Sequence, residues 1–157
     1  MHAATSTLED AISSTPSSGV PLWSKLKLQN GLTGLKAHDL VTKGVRVVDA
    51  RQVMNAFTII NANQFYGVLG ITERTMQRRA ASAAKTLDAN ASDRALRLVA
   101  VTSQAIEVFG SQEAAERWLA SPAMGLDQRK PIDLLQSSEG TELVKTLLSR
   151  MEYGVYA

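Results

Sequence analysis

The apolar residues of this chain recur mainly at the spacing of α-helices. In the last predicted helix, from about Glu139 to Glu152, five of them follow one another at intervals of one or three positions: Leu143, Val144, Leu147, Leu148 and Met151. Since an α-helix turns by about 100° per residue, this spacing gathers their side chains into one stripe. We therefore expect all five to face the core, with Ser138 as the N-cap of the helix.

A longer predicted helix, Asp93–Phe109, is apolar on more than one side, which is typical of a central helix surrounded by others. Ser92 with Asp93 is its predicted cap, and Gly110 ends it. Between these two helices the pattern predicts a helix capped by Ser111 and a short one at Pro131–Leu135. In the helix after Ser111, the residues expected to face inward are Ala114, Ala115, Trp118 and Leu119. Trp118 either fills the angle between two helices or, less commonly, contacts a partner.

The first part of the chain changes character at Pro21. Residues 1–20 are rich in small and polar side chains, which predicts a mobile arm. Short helices are expected after Pro21 and around Lys36–Thr42. The run from Val45 to Val48 is β-branched but has no second strand to pair with, so we interpret it as a connection into a helix that is capped by Asp49 and ends near Ile60.

The pattern at residues 63–84 is that of a helix-turn-helix. A short helix, Asn63–Leu69, is followed by Gly70-Ile71-Thr72 and by a second helix, Glu73–Ala84. Gly70 adopts a positive φ at little cost, and Thr72 is a suitable N-cap. Met76 is expected to face the core. In such a motif the second helix enters the major groove of DNA, which predicts a DNA-contacting surface formed by Thr72, Arg74, Thr75, Gln77 and Arg78.

A solvated basic helix that reads no DNA explains the same residues equally well. One position also departs from the usual pattern: four residues before Gly70, where a small Ala is common, this chain has Tyr66. The motif by itself therefore leaves both interpretations open.

Composition narrows the choice of function. The chain has no Cys, which excludes disulfides, thiolate metal sites and a cysteine nucleophile. Its two histidines, His2 and His38, do not form a convincing metal pair, and pairs such as Glu113 and Glu116 are normal for a solvated helix face. We expect no catalytic residue, no metal and no cofactor. No apolar run approaches the ~20 residues of a membrane span, so we expect a cytoplasmic protein without membrane contact.

Charge is distributed unevenly. The net charge of +2 is the sum of +4 over residues 1–90 and −2 over residues 91–157. The first part could bind a polyanion, whereas the second is poorly suited to do so.

The order of motifs from Ser92 to Val155 resembles that of the Xre/MbcA/ParS-like antitoxin family, whose members are partners of RES-domain toxins. The resemblance covers about sixty-five residues and is specific as a set. The segments that carry it are Ser92–Leu98, Val108–Ser111, Ala114–Leu119, Pro131–Leu135, Gly140, Val144, Leu147-Leu148 and Tyr153–Val155, preceded by Leu69–Thr72 and Thr75–Arg79.

The resemblance implies an all-α protein with an N-terminal Xre-like helix-turn-helix domain and a small helical toxin-binding domain. On this chain the expected organisation is an arm at 1–20, a DNA-binding and dimerisation domain at 21–90, and a toxin-binding domain at 91–157. In that family the toxin has an ADP-ribosyltransferase-like fold and destroys NAD, and the antitoxin covers its active site. The antitoxins commonly form homodimers and repress their own operon by binding operator DNA.

Carried over to this chain, the toxin-binding residues are Arg94, Tyr153, Gly154, Val155, Tyr156 and Ala157. A pocket that holds a dinucleotide offers positive charge, to which a domain of charge −2 ending in a carboxylate is attracted. The alternative is a stand-alone DNA-binding transcription regulator whose C-terminal domain only dimerises.

Overall fold

The chain forms a bundle of α-helices joined by short connections. A computed structural model describes residues 34–154, so the predicted arm, the predicted helix after Pro21 and the last three residues lie outside it. Within 34–154 no strand forms, and a 3₁₀ turn at Met124–Leu126 is the remaining helical element. The α-helices are α1 Gly34–Lys43, α2 Val47–Ala56, α3 Ala62–Leu69, α4 Glu73–Ala81, α5 Ala89–Phe109, α6 Gln112–Leu119, α7 Pro131–Leu134 and α8 Ser138–Glu152. The predicted all-α fold is confirmed.

Helix α5 is the centre of the bundle, as its broad apolar surface predicts. It packs against α1, α3, α6 and α8. Leu98, Val99 and Val101 on successive sides of this helix are completely buried. Because one helix contacts elements from both halves of the chain, the core is continuous from α1 to α8. The predicted domain boundary between residues 90 and 91 falls in the first turn of α5 and stays a prediction.

The start of α5 differs from the prediction. The helix begins at Ala89, and its N-cap is Asp88, whose carboxylate accepts a hydrogen bond of 2.8 Å from the backbone N–H of Ala91. Ser92 is fully buried inside the helix, where its hydroxyl accepts a bond of 2.9 Å from the backbone N–H of Val45. The predicted cap at Ser92 and Asp93 is therefore wrong, because Ser92 is used to bind a distant segment.

The run from Val45 to Val48 is also more than a connection. The backbone N–H of Val47 donates to the carbonyl of Lys85, and that of Leu87 donates to the carbonyl of Val45. The two paired segments are 40 residues apart in the sequence, from Arg46 to Thr86, so no strand pattern close to Val45 predicts the pairing. Helix α2 consequently begins at Val47 and ends at Ala56, and Asp49 is not its N-cap.

Asp49 instead forms an ion pair with the residue at the cap position. Its carboxylate accepts bonds of 2.8 Å and 3.0 Å from the guanidinium of Arg46. These bonds raise the pKa of Arg46 above its ordinary value. Asp49 is buried and Arg46 is exposed, so the ion pair lies at the first turn of α2 with Arg46 on the side that faces solvent.

Helices α4 and α8 have small corrections of their own. Helix α4 ends at Ala81 and not at Ala84. Helix α8 is capped by Ser137, one residue earlier than predicted, through a bond of 2.9 Å from the backbone N–H of Gly140. Gly140 is itself pressed against the end of α7, where an added Cβ would collide with the carbonyl oxygen of Leu134.

Candidate functional site

The segment from α3 to α4 forms the predicted helix-turn-helix. Gly70 ends α3 with a φ of +71°, a conformation that side chains with a Cβ rarely adopt. Thr72 caps α4 by accepting a bond of 3.1 Å from the backbone N–H of Thr75. Met76 is completely buried and α4 packs against α2, which holds the second helix in place. These three local predictions are confirmed.

Tyr66 does not disturb this turn. Its ring is only partly buried and lies edge-on to the ring of Phe65, with centroids 6.2 Å apart. Its carbonyl oxygen accepts bonds from the backbone N–H groups of Gly70 at 2.9 Å and Ile71 at 3.2 Å. The larger residue at this position is therefore compatible with the turn.

Helix α4 presents a cationic face to solvent. Arg74, Gln77 and Arg78 are exposed, and the two arginines are one helical turn apart, so they share this face. Among the ion pairs of residues 34–154, none involves Arg74 or Arg78. Two exposed guanidinium groups on one face of a helix can pair with phosphate oxygens or with guanine edges.

The two threonines of the predicted DNA surface contribute differently. Thr72 is exposed at the start of α4, and its hydroxyl oxygen lies 3.1 Å from that of Thr75. Thr75 is partly buried, and so is less accessible than the two arginines. The structure thus brings all five predicted residues onto one short helix, four of them exposed.

Three of the predicted toxin-binding residues, Arg94, Tyr153 and Gly154, are described by the structure, and these three do not form one cluster. Arg94 is partly buried and its guanidinium lies against the turn, so close that a Cβ on Gly70 would collide with its Nη1 atom. Tyr153 is 80% exposed at the end of α8, followed by exposed Gly154 with a φ of +73°. Val155, Tyr156 and Ala157 lie outside the described residues.

Arg94 and Tyr153 lie near opposite ends of the bundle. Helices α5 and α8 run in the same direction, because Arg97 donates to the carbonyl of Leu135 and Gln104 donates to that of Lys145. From Arg94 to the end of α5 is roughly 20 Å at 1.5 Å per residue. The structure brings Arg94 together with the helix-turn-helix and not with Tyr153 and Gly154.

Two large apolar residues in the second half of the chain, Met124 and Leu143, are exposed. Leu143 was expected in the core stripe of α8, but it is 58% exposed, whereas Val144, Leu147 and Leu148 are buried. The expectation for Leu143 is wrong because the 3₁₀ turn packs against α8 at Leu147, one helical turn after Leu143. A Cβ on Gly125, in the 3₁₀ turn, would lie 2.9 Å from Leu147 Cδ1. Met124, beside that glycine, is 86% exposed. We refer to Met124 and Leu143 as the apolar patch.

Glu116 is the other residue that the sequence pattern misjudged. It was interpreted with Glu113 as part of a solvated helix face, yet Glu116 is completely buried, whereas Glu113 is exposed and pairs with Arg117. A buried carboxylate needs several hydrogen-bond donors. Its donors come from the loop before α3 and from Gln112, and they are described below.

Trp118 fills the angle between two helices, which is the commoner of its two predicted roles, but it is not fully buried there. Its ring packs on that of Phe109 with centroids 5.5 Å apart, across the junction of α5 and α6. It remains partly exposed, as does Ala114, whereas Ala115 and Leu119 are buried. Trp118 therefore fills the angle between these helices while keeping part of its surface accessible.

Two further findings concern metals and membranes. Within residues 34–154 no group of three or more His, Asp or Glu side chains is arranged to hold a metal ion. None of the helices described is long and apolar enough to cross a membrane.

These features define a helix-turn-helix protein that carries a second helical module after this motif. Residues 36–100 match the family model described as the antitoxin Xre-like helix-turn-helix domain, and residues 104–154 match that of the antitoxin Xre/MbcA/ParS C-terminal toxin-binding domain. The first match ends and the second begins inside α5. The chain belongs to the Xre/MbcA/ParS antitoxin family.

A curated relative agrees with this assignment. The protein named Antitoxin Xre from Yersinia enterocolitica serotype O:8 / biotype 1B is 29% identical over 111 residues, which are 70% of this chain and 74% of that protein. Membership of the family indicates a non-enzymatic regulator with a toxin partner and a DNA-binding motif.

Proposed function

We propose that this antitoxin neutralises an NAD-degrading RES-domain toxin by blocking its active site, and that it represses its own operon through α4. The observation that carries the first half is the match of residues 104–154 to a toxin-binding domain. Both activities would take place in the cytoplasm, and we propose that the chain acts as a homodimer.

The C-terminal end of α8 is the proposed blocking element. Tyr153 is exposed, and three further residues follow the last one described. A tyrosine covers a large area while losing few rotamers, which suits a residue that covers the entrance of a pocket. The apolar patch on the same module supplies a further exposed surface for the toxin.

Co-expression with the neighbouring gene tests the toxin half. Cells that express the neighbour alone should lose NAD, and the full-length antitoxin should prevent this loss and co-purify with the toxin. Deletion of Gly154–Ala157 should restore NAD loss even where the complex survives. Full inhibition by the truncated chain would discard the tail as the blocking element, and unchanged NAD without the antitoxin would discard the toxin class. The mass of the purified complex tests the homodimer.

Binding to the DNA upstream of its own gene tests the operator half. Joint replacement of Arg74 and Arg78 by Ala should weaken binding by about 2–6 kcal/mol, since each arginine that pairs with a base is worth about 1–3 kcal/mol. Joint replacement of Arg117 and Arg150 by Ala is the matched control, because it removes the same charge outside α4. Equal losses in the two double variants would show that α4 does not read the operator.

A further inference from the structure

Glu116 joins the toxin-binding module to the helix-turn-helix. One carboxylate oxygen, Oε1, accepts hydrogen bonds from three consecutive backbone N–H groups, those of Thr58 at 3.0 Å, Ile59 at 2.9 Å and Ile60 at 3.0 Å. The other, Oε2, accepts from the hydroxyl of Thr58 at 3.2 Å and from Nε2 of Gln112 at 3.0 Å. The buried charge is thus surrounded by five donors.

All of these donors except Nε2 of Gln112 belong to the loop that leads into the helix-turn-helix. Residues 57–60 connect α2 to α3, and the next residue, Asn61, caps α3 together with Gln64. Gln112, one turn before Glu116 on α6, also donates to the carbonyl of Ala56 at 2.7 Å. Helix α6 therefore binds both the last residue of α2 and the segment before α3.

This arrangement crosses the division between the two family matches. The loop lies within residues 36–100 and α6 lies within residues 104–154. Hydrogen bonds in which the acceptor is ionised are stronger than neutral ones, and a buried carboxylate that lost these donors would be destabilised. Since α3 leads through the short turn Gly70-Ile71-Thr72 into α4, a contact that fixes the start of α3 also helps to fix the helix that carries Arg74 and Arg78.

We propose that Glu116 is a positioning residue through which the toxin-binding module orients α4 for operator DNA. The toxin-binding module is then a required part of the DNA-reading unit. The inference rests on the operator half of the proposed function.

Two variants of Glu116 and two of its neighbour Glu113 test this. Glu116→Gln keeps one acceptor oxygen but removes the charge, and Glu116→Ala removes the acceptor altogether. Glu113 lies three residues away on the same helix, is exposed and pairs with Arg117, so Glu113→Gln and Glu113→Ala are matched controls. The measurements are amide hydrogen exchange, affinity for the DNA upstream of the gene at one fixed salt concentration, and inhibition of NAD loss by the toxin.

The expected result is a graded loss at Glu116 alone. Exchange at Thr58, Ile59 and Ile60 should accelerate at least tenfold in Glu116→Gln, and operator affinity should fall several-fold while toxin inhibition is retained. Glu116→Ala should show larger effects on exchange and on operator affinity than Glu116→Gln. The Glu113 variants should match the unmodified protein. If Glu116→Ala does not fold, Glu116→Gln decides.

Two results would overturn the proposal. Unchanged operator affinity in Glu116→Gln, despite faster exchange at residues 58–60, would leave the contact with a structural role only. Parallel loss of operator affinity, toxin inhibition and protection throughout α5 would show general destabilisation. If the unmodified protein itself does not bind the upstream DNA, the operator function fails and the inference with it, which is distinct from failure in the variants alone.

Discussion

Replacement of Gly70 by Ala is the most direct test of the helix-turn-helix geometry. Gly70 adopts a φ of +71°, and a Cβ at this position would collide with Nη1 of Arg94. The substitution therefore combines two separable effects, backbone strain and displacement of the Arg94 side chain. Gly110 provides a matched control, because its φ is +87° but an added Cβ there meets nothing within 4 Å.

The two effects have different magnitudes. A residue with a Cβ in the left-handed region costs about 1–2 kcal/mol. Displacing Arg94 removes its packing and its favourable position at the C-terminal end of α3, which together contribute about 1 kcal/mol. We expect Gly70→Ala to lower the free energy of unfolding by roughly 2–3 kcal/mol and Gly110→Ala by only about 1–2 kcal/mol.

Denaturant unfolding of the single and double variants measures both effects. In an Arg94→Ala background, Gly70→Ala should lower the free energy of unfolding only by the backbone strain, and so by as much as Gly110→Ala. The effect of Gly110→Ala should be the same whether or not Arg94 is replaced. Equal losses at Gly70 and Gly110, with no dependence on Arg94, would refute the placement of Arg94 against the turn.

Two further substitutions test other parts of the molecule. Gly67 is exposed on α3, and a Cβ there meets nothing within 4 Å. Gly67→Ala should therefore raise the free energy of unfolding by about 0.5–1 kcal/mol and the melting temperature by about 1–4 °C. A lower melting temperature would contradict the open space at this position. Leu143→Glu should weaken toxin binding at least tenfold in a titration of the purified partners, because it places a charge in the apolar patch, while operator affinity stays unchanged. Exposed Glu139→Leu is the control outside the patch, and equal toxin affinity in Leu143→Glu and the unmodified protein would exclude the patch from the interface.

The position of Arg94 changes how the two functions are divided over the molecule. The family resemblance places this residue among the toxin contacts, but its side chain lies at the turn between α3 and α4. Glu116 shows the converse relation, because a residue of the toxin-binding module holds the loop before α3. The two modules therefore share side chains at their junction, and substitutions there should be assayed for both activities.

The sequence by itself predicts which segments form helices and where the turn lies, although the structure moves the caps of α2, α5 and α8 and the end of α4. Gly70, Thr72 and Met76 could be assigned from neighbouring residues alone, since a positive φ, an N-cap and a buried position at helical spacing are local properties. The broad apolar surface of α5 likewise identifies it as the central helix without reference to its partners.

The tertiary structure decides the residues whose roles depend on distant partners. Glu116 binds Thr58 across 58 positions, and Ser92 binds Val45 across 47. Periodicity describes only which face of a helix a residue occupies, and Glu113 and Glu116 differ little in that respect. What separates them is the loop before α3, which supplies three backbone donors to Glu116 and none to Glu113. Leu143 is exposed for a related reason: the 3₁₀ turn that covers α8 packs on Leu147, one turn away, and only the folded chain determines where that turn lies.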